Sequence, residues 1–399
     1  MKSPCLVIFS IALLFASASC KRNKDGVVLI DPDKAVPAVL EDVACDIKVI
    51  PLKSDRPIPG FTFLYFYDDY FFSTDLNYDE YNFTRVGVFD RQGNYIGTID
   101  RQGRGRNEYL RLANFVYHAD SQQLHLYDDP IHSANSLPTI FKFQLPQLEF
   151  LGIQYPGLIG RVSQIVHLGD GNSLSSLSAD EGLNDMAIVK LLPDTVLILK
   201  EYGTFGINRI SSTFYHWHFT NKYNPLIAMF GYENSIYSLD SSDSLKLEFS
   251  FSFGPKGLPK SYADNQSKFG PYISRMDDER DQYMEEGLDI LYGVPVKNGN
   301  LISFMYFLYT YHEEQFFRHF YVTNGRKSAD YSKLTIPGLE FNIIPRLVGV
   351  NGTSYVFSLE DVRVDPSAPL SPLGQQILDA VSAQNDDNPI LLQFRFKDL

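Results

Sequence analysis

The chain has 399 residues, 44% hydrophobic and 21% charged, which excludes wholesale disorder, collagen and coiled coil. Its net charge of −13 argues against a nucleic-acid partner, because phosphate binding needs a basic surface. With 30 Phe, 25 Tyr, 27 Gly and 22 Pro, the composition favours many short strands and turns over long helices.

At the start, Lys2 precedes an apolar run over 6–16, interrupted only by Ser10. A bilayer span needs about 20 residues, so this run fits the hydrophobic region of a signal peptide instead. Ser17, Ala18 and Ser19 then lead to Cys20. Small residues before a Cys resemble the lipobox of bacterial lipoproteins, although Ser17 stands where an aliphatic residue is usual. The resemblance implies cleavage that leaves Cys20 first, with a diacylglycerol on its thiol and a lipid anchor in the cell envelope. The other reading is ordinary cleavage with a free Cys20. Lys21, Arg22 and Lys24 replace the acidic residues of surface-exported lipoproteins, so the resemblance implies a periplasm-facing protein. The expected organisation is a signal peptide over 1–19, a tether over 20–45 and one folded domain over 46–399. Asp31-Pro32 and Pro37 are expected to break any regular element in the tether. With Cys5 lost and Cys20 acylated, only Cys45 remains, so no internal disulfide is expected. Cys45 sits beside an apolar strand pattern and reads as a small buried hydrophobe.

Further along, Ile47, Val49 and Pro51 alternate with Lys48 and Ile50 as a strand. Strands over 61–66 and 70–73 precede a hairpin made by 85–89 and 95–99 around an Asp90–Asn94 turn. A Gly-rich loop, Arg101-Gln102-Gly103-Arg104-Gly105-Arg106-Asn107-Glu108-Tyr109, follows. Short strands then come in fours: 110–117, 123–127, 139–143 and 148–153; 163–168, 174–177, 186–192 and 196–202; 214–219, 226–230, 235–239 and 245–253. Residues 289–336 and 341–399 supply two more sets. Four strands per unit, repeating every 40 to 60 residues, are the signature of propeller blades, which bury both faces only by stacking around an axis. The expected fold is therefore an all-β, six-bladed β-propeller of antiparallel blades. The terminal strand over 390–396 is expected to pair with the strand near residue 47, closing the ring.

Two helical insertions are expected. One covers 274–288, capped by Ser274 and Asp277, with an acidic face that reads as solvated or, less simply, as a cation site. The other starts at Ser371 with Pro372 first, and carries Leu373, Ile377 and Val381 as its apolar stripe.

The run Val88-Phe89-Asp90-Arg91-Gln92-Gly93-Asn94-Tyr95-Ile96, with the Gly-Arg-Gly loop ending in Glu108-Tyr109, resembles the six-bladed β-propeller lipoproteins of Gram-negative bacteria. These are related in architecture to NHL-repeat and TolB-like propellers. Phe251-Ser252-Phe253-Gly254 and Asn388-Pro389-Ile390-Leu391-Leu392 agree with it. Arg106 and Asn107 replace the Pro and Gly usual in that family's loop, making this one less stiff and more basic. The resemblance implies no catalytic residues.

Enzyme motifs are lacking: there is no Gly-x-Ser-x-Gly, Walker loop, His-Glu-x-x-His or Cys-x-x-Cys. No cofactor and no metal site are implied. His118, His125 and His132 lie seven apart, which by itself fixes no ligand geometry. His216 and His218 flank Trp217 and share a strand face. They read as a half-buried pair or, with a third ligand, as a zinc site. Trp217 reads as blade packing or as a stacking platform for a sugar or peptide. Arg104, Arg106, Glu108 and Tyr109 are the leading ligand-binding candidates, since their loop joins two blades and is expected to reach the axial mouth. There the Arg forks would hold a carboxylate, sulfate or phosphate. The bland alternative is a turn in which Glu108 satisfies the backbone and Tyr109 packs between blades. Two functions follow: a non-catalytic binding or scaffold module for a protein, peptide or glycan, or a polysaccharide lyase or hydrolase acting on an acidic glycan. The second requires His216, His218, Arg104 and Tyr109 to meet in space.

Overall fold

The computed structural model describes residues 18–19, 27–54, 63–67, 69–75, 83–128, 139–154, 161–169, 172–178, 186–191, 196–202, 217–219, 226–229, 235–240, 242–256, 295–310, 315–384 and 388–399. The N-terminal part contributes β1 (Ala18–Ser19), β2 (Val28–Leu29), β3 (Val36–Val39), a single turn α1 (Leu40–Val43) and β4 (Ala44–Pro51). Blade 1 is β5 (Phe63–Tyr67), β6 (Tyr70–Thr74), β7 (Arg85–Asp90) and β8 (Tyr95–Asp100). Blade 2 is β9 (Leu112–His118), β10 (Gln123–Asp128), β11 (Ile140–Gln144) and β12 (Glu149–Gln154). Blade 3 is β13 (Arg161–Gly169), β14 (Asn172–Ser178), β15 (Met186–Leu191) and β16 (Val196–Tyr202). Blade 4 is β17 (Trp217–Phe219), β18 (Leu226–Met229), β19 (Ser235–Leu239) and β20 (Leu245–Ser252). Blade 5 is β21 (Val296–Asn298), β22 (Leu301–Thr310), β23 (Gln315–Thr323) and β24 (Lys327–Thr335). Blade 6 is β25 (Leu339–Asn351), β26 (Ser354–Val364) and β27 (Ile390–Phe396), completed by β4.

Central strands such as β6 and β7 are covered on both faces, so they carry apolar side chains on both. In blade 1, β6 is buried at every position. First strands of neighbouring blades pack against one another where β9 meets β13, β13 meets β17 and β25 meets β5, which places them around the axis. Gly349 of β25 permits one such approach, because an added Cβ would come within 1.9 Å of the Phe66 ring of β5.

Closure follows the sequence expectation: β4 pairs antiparallel with β27, Ile390 opposite Pro51 and Phe396 opposite Ala44. The expected tether differs from the structure. Within 20–45, β2 adds to β20 and β3 adds to β24, both in parallel. The chain from residue 27 to 51 therefore runs around the rim, adding a strand to blades 4, 5 and 6 in turn. We call it the strap. It also fills the seams between blades. Val28 and Ile30 enter the apolar cluster of blades 4 and 5, Leu40 and Ala44 that of blades 5 and 6, and Ile50 and Leu52 that of blades 6 and 1.

The two faces of the disc are unlike. First-to-second and third-to-fourth connections turn on one face, and none exceeds the six residues of 220–225. Second-to-third and blade-to-blade connections leave from the other face, and include 75–84, 101–111, 129–139, 203–216, 253–295 and 365–389. The last holds α2 (Pro372–Ala383), whose cap Ser371 accepts the Gly374 N–H at 3.0 Å. Leu373 and Ile377 are buried as expected, but Val381, in the last turn of α2, is exposed. The expected helix over 274–288 lies outside the described residues. Cys45 is a free thiol, half-buried rather than buried, because the outermost strand of a blade has an open side.

Candidate ligand-binding face

Residues 101–111 connect β8 to β9 on the long-loop face. Tyr109 is 1% exposed and anchors the loop. Its hydroxyl donates to Thr84 O at 2.9 Å and accepts the Arg101 N–H at 3.1 Å. Its ring meets Phe141 of β11 edge-on, centroids 5.4 Å apart. Burial, with added repulsion from Asp100 and Asp75, pushes the phenol up to about 12 despite the Arg101 N–H, so it stays neutral near pH 7. Arg101 lies over the Phe150 ring of β12, 4.2 Å from its centroid. These contacts fix the loop over the outer half of the blade 1–blade 2 seam. The expected reach to the axial mouth is not what the structure has, because the anchoring partners belong to outer strands.

Glycine makes the turn. Glu108 Oε2 accepts the Gly105 N–H at 2.6 Å, and a Cβ at Gly103 would lie 1.9 Å from that oxygen. Gly103 N–H also donates to Tyr109 O at 2.9 Å. Glu108 and Tyr109 thus hold the turn together, as in the bland reading of the motif. Arg104 and Arg106 stand exposed on this stapled backbone. Two neighbouring guanidinium forks on a fixed turn suit carboxylate, sulfate or phosphate groups.

A supporting clasp was not legible in the sequence. Asp75 accepts Thr84 N–H at 2.8 Å, Thr84 Oγ1 at 2.6 Å, Arg85 N–H at 2.7 Å and Arg85 Nε at 3.1 Å. Burial raises its proton affinity, but these hydrogen bonds outweigh that and hold the carboxyl below its usual range. The clasp fixes Thr84, whose carbonyl receives Tyr109.

Trp217 and His218 lie in β17, opposite Met229 and Ala228, where the innermost strand of blade 4 starts at the long-loop face. His216 lies outside the described residues. The topology puts this strand in blade 4 and the Arg104 loop between blades 1 and 2. It does not bring the two together, and Tyr109 is enclosed.

Two pairings escaped the sequence. His118 and His125 meet across the β9–β10 hairpin, ring centroids 4.0 Å apart, with His125 Nε2 3.2 Å from Gln123 Oε1. His118 lies opposite Gln123 and His125 opposite Val116, so the two rings are diagonal neighbours on one face, which only the hairpin register reveals. His132 lies outside the described residues. In blade 5, Tyr306, His319 and Asp330 form a buried polar cluster on adjacent strands. Among the described residues, no group of three or more His, Cys, Asp or Glu is placed to hold a metal ion.

A family model described as a 6-bladed beta-propeller matches residues 18–327. Among solved structures, a Bacteroides fragilis protein described as exported aligns with a TM-score of 0.59 at 15% identity, covering 91% of this chain and 98% of its own. BamB from Moraxella catarrhalis aligns at 0.38 and 7% identity, covering 88% and 99%. A subtype N11 neuraminidase-like protein of A/flat-faced bat/Peru/033/2010 aligns at 0.41 and 11% identity, covering 92% and 98%. No curated protein sequence matches the chain. With six four-stranded blades, closure by an N-terminal strand and a match over most of its length, the chain belongs to the 6-bladed beta-propeller family.

Proposed function

We propose that the protein is a non-catalytic binding or scaffold module of the bacterial cell envelope, anchored by lipid at Cys20 and facing the periplasm. Its long-loop face receives a protein, peptide or glycan carrying acidic groups. The observation that carries this reading is the asymmetry of the disc. Every long connection leaves one face, and that face presents Arg104 and Arg106 on a stapled turn in a chain of net charge −13. Loops on a rigid scaffold are where binding residues concentrate. The leader over 6–16 supports export, in agreement with the description of the Bacteroides fragilis relative.

The test uses photocrosslinking residues placed in cells at Arg104 and Arg106, and at Asn300 on the short-turn face. A discrete product from the first two that is absent from the third supports the reading. Equal labelling from both faces, or none from either, overturns it. Fatty-acid labelling lost in Cys20→Ser, with release of the protein from the membrane fraction, tests the anchor separately.

A further inference from the structure

The strap crosses the blade 4–blade 5 seam above a buried acid. Val28 and Ile30 sit among Phe249, Phe251 and Phe253 of blade 4 and Phe304, Tyr306 and Tyr321 of blade 5. Ile30 N–H donates to Ser252 O at 2.9 Å. Asp31 follows, then a single 3-10 turn over Pro32–Lys34, and β3 joins β24 with Val36 opposite Tyr331. Successive residues of β24 point to opposite faces. Tyr331 stacks on Phe396 of blade 6, centroids 5.9 Å apart, so Asp330 points back toward blade 4 and the strap.

Asp330 there has one good partner. Tyr306 Oη donates to its Oδ2 at 2.5 Å. His319 Nδ1 lies 3.0 Å from Tyr306 Oη and 3.8 Å from Asp330 Oδ1, and Oδ1 is buried without a hydrogen bond. A buried carboxylate oxygen left in this state is costly, while a protonated one is not. The charges that face it come from several elements. Tyr306 and His319 belong to β22 and β23, and Asp31, Asp33 and Lys34 to the strap, where Asp31 engages Lys34. Glu248 of β20 is held by Ser238 at 2.7 Å and Lys297 at 3.0 Å.

We propose that Asp330 is a proton-operated latch for the strap: protonated, it lets residues 27–39 seat over the blade 4–blade 5 seam, and its ionisation loosens them, freeing the outer edges of β20 and β24 for another strand. Burial pushes the carboxyl up to about 7, against the Tyr306 hydrogen bond and with help from Asp31 across the gap. The seated state thus binds the proton more tightly than the open one. Seating is fully favoured only below the ordinary carboxyl value of 3.8, where both states are protonated. It weakens as the pH climbs and reaches its floor above about pH 7. The freed edges are backbone rows of the kind that accept an added strand.

Hydrogen exchange of the whole mature protein reads the latch directly. Protection of amides 27–39, corrected for intrinsic rate, should fall by roughly tenfold or more between pH 5.5 and 8.5. Amides of β4, away from the acid, serve as reference and should not follow. In Asp330→Asn, which keeps the shape and a partner for Tyr306, strap protection should be high and equal at both pH values. Asp31→Asn removes the facing charge, so its fall should be smaller than in the native chain. That variant decides the matter if Asp330→Asn fails to fold. A native strap whose protection ignores pH overturns the proposal. So does an undiminished fall in either variant.

Discussion

Two seams of the ring solve the same packing problem with different means. Between blades 1 and 2, a local loop folds back and inserts Tyr109, whose hydroxyl finds both a donor and an acceptor. Between blades 4 and 5, a remote segment inserts Val28 and Ile30 and leaves Asp330 with one satisfied oxygen. The first seam is closed by Tyr109 with Thr84, Arg101 and Phe141, all from the two blades it joins, so it forms with its own blades. The second depends on chain more than 200 positions away and holds an acid whose proton is exchangeable near pH 7. A seam closed locally is a fixture, whereas one closed from afar can be opened without unfolding the blades beside it.

The sharpest way to break this contrast is Tyr109→Ala. It empties an aromatic site and strands the Thr84 carbonyl and Arg101 N–H, so global stability should fall by about 3–5 kcal/mol. Urea denaturation should show one transition, shifted to lower denaturant, and the loss should be the same at pH 6 and pH 8.5. Ile30→Ala should behave otherwise. Loss of this buried side chain should weaken strap seating by about 2–4 kcal/mol, most of it local. Proteolysis within 27–43 should then accelerate about 30-fold or more while the main unfolding transition moves little. If both variants shift the whole transition equally, the strap is part of one cooperative unit and the contrast fails. The smallest effect is expected of Gly103→Ala. The atom in the way is the mobile end of Glu108, so the turn survives but its clasp does not, at about 1 kcal/mol. Thermal melting checks it, and a loss as large as that of Tyr109→Ala would mean that the clasp, not the ring, holds the first seam.

Much of the ring was legible in the sequence because hairpins leave local marks. Asp90–Asn94 announces a turn, alternation marks the flanking strands, and Ser371-Pro372 marks a helix start. The strap left no such mark. β2 and β3 are two and four residues long, and β3 contains Pro37, where a break was expected; both are strands because another blade offers an edge. Parallel addition has no turn to betray it. Asp31-Pro32 was rightly read as a break, yet the break is a bridge between two docked strands. Asp330 fits a strand's solvent side by alternation, yet its carboxyl turns to Tyr306 and His319 of the neighbouring strands. The Gly-Arg-Gly loop was recognisable, but its placement depended on Phe141 and Phe150, which nothing in the loop specifies.

The strap also sets a timetable. It leaves the ribosome before any blade, while its partners are strands of the fourth, fifth and sixth, with Ala44 waiting for Phe396. During that interval Val28, Ile30, Leu40, Ile50 and Leu52 have no host. Pairings this distant in sequence form slowly and leave apolar side chains open to wrong partners. Shortening the chain from its far end is therefore not a graded loss of one blade. Without β27, β4 loses its partner while β2 and β3 keep theirs, and the ring remains an open arc.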